Sequence, residues 1–176
     1  MQLYIIISLF VITVIIRLIA LKVSRKNEKA LIKEGAIEYG QKTTKLIVVV
    51  HTLAYFAFFA QGVINATATE NFFDGVFYVG IAIYLFSIAS LIVVIRSLHR
   101  FWTVKIYVSP NHVMVKNFLF KYIKHPNYYF NIIPEIIALA IINKAWMSLT
   151  IILPIYVILL FVRIKQEEKA LLDLRK

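Results

Sequence analysis

Three groups of residues in this chain carry chemistry that an apolar sequence does not need in order to fold. The first is the run Lys121-Tyr122-Ile123-Lys124-His125-Pro126-Asn127-Tyr128. Proline favours the first turn of a helix, so His125-Pro126 sets a histidine at a helix mouth. Free backbone N–H groups and partial positive charge at such a mouth favour a carboxylate or a phosphate. The second group is Tyr128, Asn131 and Glu135, at i, i+3 and i+7 on one helix face. A phenol, an amide and a carboxylate on one face must meet a cavity or another polar group rather than lipid. The third is Arg163, Glu167 and Glu168; Arg163 and Glu167 are at i, i+4, a spacing that supports a charged helix.

The elements that position these residues follow from composition. Hydrophobic residues make up 61% of the 176 and charged residues 16%, against about 45–50% and about 25% in a soluble domain. With no cysteine there is no disulfide framework, thiolate metal site or cysteine nucleophile. The four histidines show no ligand spacing, so no metal is expected. Apolar runs long enough to cross a bilayer lie at about 3–21, 46–64, 76–95 and 145–162. A shorter run at 128–142 is separated from the last by Asn143 and Lys144 alone, which predicts a tight helical hairpin. The N-terminus has neither a basic start nor a small-residue cleavage site, so the first run reads as a true helix.

The fold expected is an all-α integral membrane protein of five transmembrane helices. It forms a single membrane domain over 1–176. Residues 1–95 hold three helices with a loop at 22–45, and 96–176 form the half that carries the chemistry. Charge gives the orientation. Segments 22–45, 96–124 and 163–176 hold seven, six and five Lys/Arg, which is 18 of the 20. By the positive-inside rule these are cytoplasmic, with the N-terminus outside and a charged helix leaving the last span on the inside. The net charge of +11 is thereby accounted for without nucleic acid.

Polar residues inside spans are costly and point to function. Arg17 lies one turn from the cytoplasmic end of the first helix, where it can snorkel to headgroups or turn to a cavity. His51 sits less than two turns into the second helix, either as a satisfied interfacial histidine or as part of a site. Pro134 and Pro154 each remove a backbone hydrogen bond, which is tolerated at membrane depth where protein or a cavity satisfies the freed group.

The HPNY stretch at a helix mouth, the short hairpin and the R-x-x-x-E-E-x-x-L exit helix together resemble the isoprenylcysteine carboxyl methyltransferase family and the related phospholipid methyltransferases. The SRKNE…GAIEYG segment from Ser24 to Gly40, His51, and LHRFWT from Leu98 to Thr103 are similar to its small bacterial branch. The resemblance covers nearly the whole chain. It implies a methyltransferase using S-adenosylmethionine on the cytoplasmic side of a bacterial inner membrane. Tyr122, Lys124, His125, Pro126, Asn127 and Tyr128 would line the cofactor site, closed by Arg163, Glu167 and Glu168. Arg17, His51, Trp102, Asn131 and Glu135 would face the acceptor, and Lys124, Glu135 and Arg163 are the catalytic candidates.

The chain also departs from that family. Lys124 stands where arginine is common, keeping the charge but losing bidentate geometry. Phe130 replaces a glycine, and Asn131 replaces an acid whose role Glu135 could take one turn on. The chain ends soon after Leu172 where relatives run on through tyrosines, so a shorter cofactor lid is expected.

Methyl transfer from a sulfonium requires alignment and exclusion of water. A carboxylate acceptor is already anionic, whereas an enol or phenol needs a base, for which Glu135 or His51 is available. Relatives in the small bacterial branch are associated with type III polyketide synthases. The acceptor expected is therefore an alkylpyrone-like lipid or an isoprenoid carboxylate, with a phospholipid amine still open. The competing readings are an NADPH-dependent reductase of the sterol-reductase kind and a non-catalytic lipid-binding protein.

Overall fold

The structure is a computed structural model that describes residues 1–108 and 123–173. Helix α1 runs over Gln2–Lys33, about 48 Å at 1.5 Å per residue. The segment expected as a loop at 22–45 is thus helical through its first half. Its Lys, Arg and Glu residues are good helix formers, and the helix stops only at Gly35. There Gly35, at φ +82°, lets its own N–H reach Ile32 O at 3.0 Å and Ala36 N–H reach Leu31 O at 3.0 Å, a Schellman ending that needs a left-handed residue.

The all-α expectation misses one element. Strand β1 (Ile37–Tyr39) pairs antiparallel with β2 (Ile106–Val108), in the register Ile37↔Val108, Glu38↔Tyr107 and Tyr39↔Ile106. Ile106 and Val108 pack with Ala170 in a small core of their own. Helix α2 follows over Gln41–Ala68, then α3 over Gly75–Leu98, started by Asp74, whose carboxylate accepts from Phe77 N–H at 3.0 Å. A 3₁₀ turn at His99–Phe101 leads into β2.

Beyond residue 122 the backbone winds as a π-helix over Asn127–Ile132 and continues as α4 (Ile133–Ile142). Pro134 has no N–H to return to the preceding turn, and the wider i→i+5 winding lies directly upstream of it. The predicted hairpin is present: Ala145 N–H reaches Ala140 O at 2.8 Å and Lys144 N–H reaches Ile141 O at 3.0 Å, with Lys144 left-handed at φ +51°. That conformation costs a non-glycine residue about 1–2 kcal/mol. It is held by the Lys144–Asp74 ion pair at 2.8 Å and by the Asn65 amide donating to the carbonyls of Asn143 and Lys144. Helix α5 (Trp146–Asp173) passes unbroken through Pro154.

Four of these helices are long and apolar enough to cross a membrane; Asn127–Ile142 is apolar but shorter. Its 16 residues span about 24 Å, against about 30 Å of hydrocarbon. The main core lies among α2, α3 and α4, around Phe58, Phe72, Ile136 and Ile142. Gly80 lets α3 approach α4 closely: a Cβ there would stand 3.1 Å from the backbone nitrogen of Ile142. One end of the bundle gathers the N-terminus, where Gln2 bonds Glu70 O at 2.7 Å, with the Asp74 and Lys144 turns. The opposite end holds the α1 extension, the two strands, the π-helix and the last turns of α5.

Candidate functional site

At that second end, α1, the 99–108 segment, the π-helix and α5 converge, and each is tied in by a polar contact. The Asn27 amide donates to His99 O at 3.0 Å and to Trp102 O at 2.8 Å, while Val104 N–H donates to Ser24 Oγ at 2.9 Å. The helical extension of α1 therefore positions Trp102 and Thr103. Arg163, 5% exposed, holds three elements at once. Its Nε donates to the Tyr128 hydroxyl at 2.9 Å, one terminal nitrogen to Thr44 Oγ1 at 2.7 Å, and the other to Val104 O at 2.5 Å.

The Tyr128 hydroxyl in turn donates a hydrogen bond to Glu167 Oε2 at 2.9 Å. Arg163 and Glu167, four residues apart on α5, are thus bridged through a tyrosine from the π-helix rather than directly. His125 completes the cluster, with Nδ1 3.3 Å from Glu167 and Nε2 3.9 Å from Glu168, and its ring stacks on Tyr128. The two-residue turn between α4 and α5 is what brings these acids back over the histidine.

Two cavities open on either side of this cluster. The first, about 560 Å³, is lined by Lys124, His125, Pro126, Asn127 and Tyr128 below, by Glu167, Glu168 and Leu171 above, and by Phe101 to Val108 at the side. The second, about 330 Å³, lies deeper among the apolar helices, walled by Phe10, Ile47, Phe56 and Leu160 and carrying Arg17, His51, Tyr55 and Asn131. Both volumes are of the size that takes a small molecule. Trp102, Thr103, Asn127, Tyr128 and Arg163 line both. The cavities thus meet at one polar junction.

Of the residues singled out from sequence, Lys124, His125, Pro126, Asn127, Tyr128, Glu167 and Glu168 border the outer cavity, and Arg17, His51 and Asn131 the inner one. Trp102 and Arg163 belong to both. Tyr122 lies outside the described residues. Glu135 is placed differently from expectation: it is 0% exposed and does not line the inner cavity. It sits behind the wall, in an ion pair with Arg17, and accepts from the Tyr55 hydroxyl at 2.5 Å. Arg17 Nε also reaches the Tyr55 hydroxyl at 2.9 Å, so α1, α2 and α4 are joined through one buried polar knot. Arg17 itself turns inward rather than snorkelling to headgroups.

Sequence reasoning passed over Tyr55, Tyr156, Thr44 and Ser24. Tyr156 bonds His51 Nδ1 at 2.8 Å. A tyrosine in an apolar run reads as interfacial, but the spacing His51–Tyr55, at i, i+4, puts its hydroxyl on the polar side of α2.

Two relatives match over almost their full length. An uncharacterized protein of Haemophilus influenzae is 45% identical over 89% of this chain and 88% of its own. The uncharacterized protein YpbQ of Bacillus subtilis is 29% identical over 93% and 94%. No solved structure matches the chain. Residues 79–173, which include the junction residues and everything from α3 to the exit helix, match the model of the isoprenylcysteine carboxyl methyltransferase family. By that match and its cluster of His125, Tyr128, Arg163 and Glu167 between two cavities, the chain belongs to the isoprenylcysteine carboxyl methyltransferase family.

Proposed function

We propose that the protein is an integral-membrane methyltransferase that takes S-adenosylmethionine from the cytoplasm and methylates an oxygen of a lipophilic acceptor drawn from the bilayer. The acceptor is an alkylpyrone-like polyketide lipid or an isoprenoid-linked carboxylate, and a type III polyketide synthase is the partner that would supply the first. The membrane is the bacterial inner membrane, with the basic end inside. The observation that carries this reading is the meeting of a polar outer cavity and a largely apolar inner one at Trp102, Thr103, Asn127, Tyr128 and Arg163. Methyl transfer requires donor and acceptor to approach from opposite sides of one point.

The outer cavity suits the cofactor. His125 Nε2 is buried with no hydrogen-bond partner among the described residues, a group that a ligand would satisfy. Lys124 offers charge for a carboxylate, Glu167 and Glu168 offer acceptors for an ammonium or hydroxyls, and Phe101 and Leu171 offer apolar surface for a base. When bound, S-adenosylmethionine supplies a methyl group activated by its sulfonium.

The protein's own residues then align the acceptor and keep water out. Trp102, 4% exposed, covers the junction. Arg163 holds Tyr128 in place and sets positive charge where an acceptor oxygen would lie. A carboxylate acceptor needs no base. For an enol, His51 is the base within reach, because it lines the inner cavity and Glu135 does not. Glu135 instead fixes Arg17.

Calorimetric titration of the detergent-purified protein with S-adenosylmethionine, with NADPH in parallel, tests this. Binding of the methyl donor in the micromolar-to-millimolar range usual for enzyme substrates, lost in His125→Ala, is expected. Binding of NADPH alone would overturn the reading.

A further inference from the structure

Trp102, Thr103, Asn127, Tyr128 and Arg163 stand where the two cavities meet, and their polar atoms are not equivalent. Arg163 directs its Nε and both terminal nitrogens at Tyr128, Thr44 and Val104. The Tyr128 oxygen accepts from Arg163 and donates to Glu167, and the Asn127 side-chain oxygen accepts from Asn131. Thr103 differs from these. Its hydroxyl donates to Lys105 O at 2.7 Å and accepts from no donor among the described residues. A hydroxyl has one proton and two lone pairs, so with its proton committed Thr103 Oγ1 brings to the junction an oxygen that can only accept.

The backbone on either side of Thr103 is held. Trp102 O accepts from Asn27 at 2.8 Å, Val104 N–H donates to Ser24 at 2.9 Å, and Val104 O accepts from Arg163 at 2.5 Å. Donating to a carbonyl also makes a hydroxyl oxygen a better acceptor, because successive hydrogen bonds polarise one another. No carboxylate shares the position. Among the described residues no Asp or Glu lines both cavities; Glu167 and Glu168 border only the outer one, and Glu135 lies behind the inner wall. That arrangement has a chemical consequence. A carboxylate facing an activated methyl group is itself a nucleophile and would take the methyl in place of the acceptor. A threonine hydroxyl whose proton is committed is electron-rich without competing.

We propose that Thr103 contacts the transferring methyl group, its Oγ1 accepting C–H···O hydrogen bonds from that methyl. A methyl on a sulfonium is polarised by the positive sulfur, so its C–H groups are better donors than those of an ordinary methyl. As the acceptor oxygen forms its bond to the methyl carbon, the carbon–sulfur electron pair returns to sulfur, which becomes a neutral thioether. Positive charge on the methyl is met during that transfer by an oxygen already fixed in place, the preorganisation that favours a transition state. This rests on the reading of the protein as a methyltransferase and holds whichever acceptor it uses. It adds to that reading a residue outside both the HPNY stretch and the exit helix, taken from the segment that leads into β2.

The test uses the full chain in detergent and two ligands, S-adenosylmethionine and S-adenosylhomocysteine, which lacks the methyl. Thr103→Val keeps the side-chain shape and removes the oxygen, whereas Thr103→Ser keeps the oxygen. By calorimetry, Thr103→Val is expected to weaken the methylated ligand about two- to fivefold more than the demethylated one, the reach of one C–H···O contact. Thr103→Ser is expected to keep the wild-type ratio of the two affinities. A second readout is the proton resonance of the bound methyl group, labelled with carbon-13. It is expected downfield in the wild type and in Thr103→Ser, and displaced upfield in Thr103→Val. Should Thr103→Val not fold, Thr103→Ala serves the same comparison.

Equal weakening of both ligands by Thr103→Val, or the same loss of ratio in Thr103→Ser, would mean that the hydroxyl only braces its segment and would overturn the proposal. Unchanged affinities with an unmoved methyl resonance in Thr103→Val would overturn it as well. In each of these cases donor binding by the wild type still speaks for the enzyme. Failure of the wild type to bind S-adenosylmethionine would instead bring down the methyltransferase reading, and this contact with it. That failure is seen before any variant is made, so the two are distinct.

Discussion

The ion pair between Arg17 and Glu135 gives a prediction whose sign is counter-intuitive. Glu135 is fully buried and the Arg17 side chain is 19% exposed, so removing either partner strands a charge at membrane depth. Breaking a buried pair in this way costs about 3–5 kcal/mol. Glu135→Leu also takes the acceptor from the Tyr55 hydroxyl, bonded at 2.5 Å, which places the expected loss at the upper end, about 5 kcal/mol. Arg17→Met leaves a carboxylate that neutralises itself by binding a proton, so its loss belongs at the lower end, about 3 kcal/mol. The double variant strands no charge, only the Tyr55 hydroxyl, which loses both of its partners at a cost of about 1–3 kcal/mol. Replacing a buried pair by apolar residues is often neutral or better, and α1 and α4 keep their apolar neighbours. Its loss should therefore be about 2 kcal/mol, giving a coupling of about 6 kcal/mol between the two sites, far above ordinary non-additivity. Unfolding by sodium dodecyl sulfate, followed by tryptophan fluorescence in mixed micelles, would measure all four proteins. A double variant as unstable as the worse single one would refute the idea that the pair acts as a unit. Methyl transfer, if Arg17 receives the acceptor head, should stay lost in the stable double variant, which separates the structural role of Glu135 from the binding role of Arg17.

Three further outcomes follow from the geometry. Tyr128→Phe removes one hydroxyl that both accepts from Arg163 and donates to Glu167; hydrogen bonds to charged groups are worth about 1.5–3 kcal/mol each, so S-adenosylmethionine affinity should fall at least about tenfold by calorimetry. Gly80→Val forces a side chain against Ile141 and the backbone of Ile142; overpacking of this kind costs about 1–3 kcal/mol, measurable in the same detergent titration. The Lys144 ammonium and the Phe77 N–H hold the Asp74 carboxyl below its ordinary range. A depressed folded-state value gives stability that is present above the unfolded value and lost as pH falls through the folded one. The α2–α3 and α4–α5 turns should therefore loosen on acidification below the ordinary carboxylate range, seen as faster amide exchange around Lys144. Asp74→Asn should show that faster exchange already at neutral pH, with little further acid dependence.

What the sequence disclosed, it disclosed through local properties. Hydropathy over 18 residues is local, so the long helices could be read directly, and the pair Asn143-Lys144 sufficed for the hairpin. The same turn then dictated that Glu167 and Glu168 return over His125. Strands β1 and β2 were invisible because each is three residues long and its partner lies about 70 residues away. No periodicity develops over three positions. The extension of α1 was readable in principle: Gly35 was the stop signal, but charge suggested a loop where it marked only the end of the lipid. Glu135 was found as a polar residue at depth, yet its partner on α1 lies 118 residues upstream. Face spacing identifies which residues leave lipid, not whether they meet a cavity or one another.

That distinction bears on how the site works. Tyr128, Asn131 and Glu135 share a helix face but divide the labour by depth. Tyr128 stands at the junction of the two cavities, Asn131 in the inner wall, and Glu135 behind it. Asn131 donates to the Asn127 side chain at 3.1 Å and receives Arg17 at 3.5 Å, so it links the helix mouth to the buried pair. The π-winding over Asn127–Ile132 matters here. The wider winding sets Asn127 on the wall that both cavities use and Asn131, bonded to it side chain to side chain, on the inner wall, before α geometry resumes at Ile133. Two of the five residues that touch both cavities, Asn127 and Tyr128, thus come from the one stretch of this short helix whose backbone departs from α geometry. At one end Glu135 pairs with Arg17 of α1, and at the other Tyr128 receives Arg163 of α5, so the stretch between them is tied to both neighbours and its polar side chains are held in register with the two cavities.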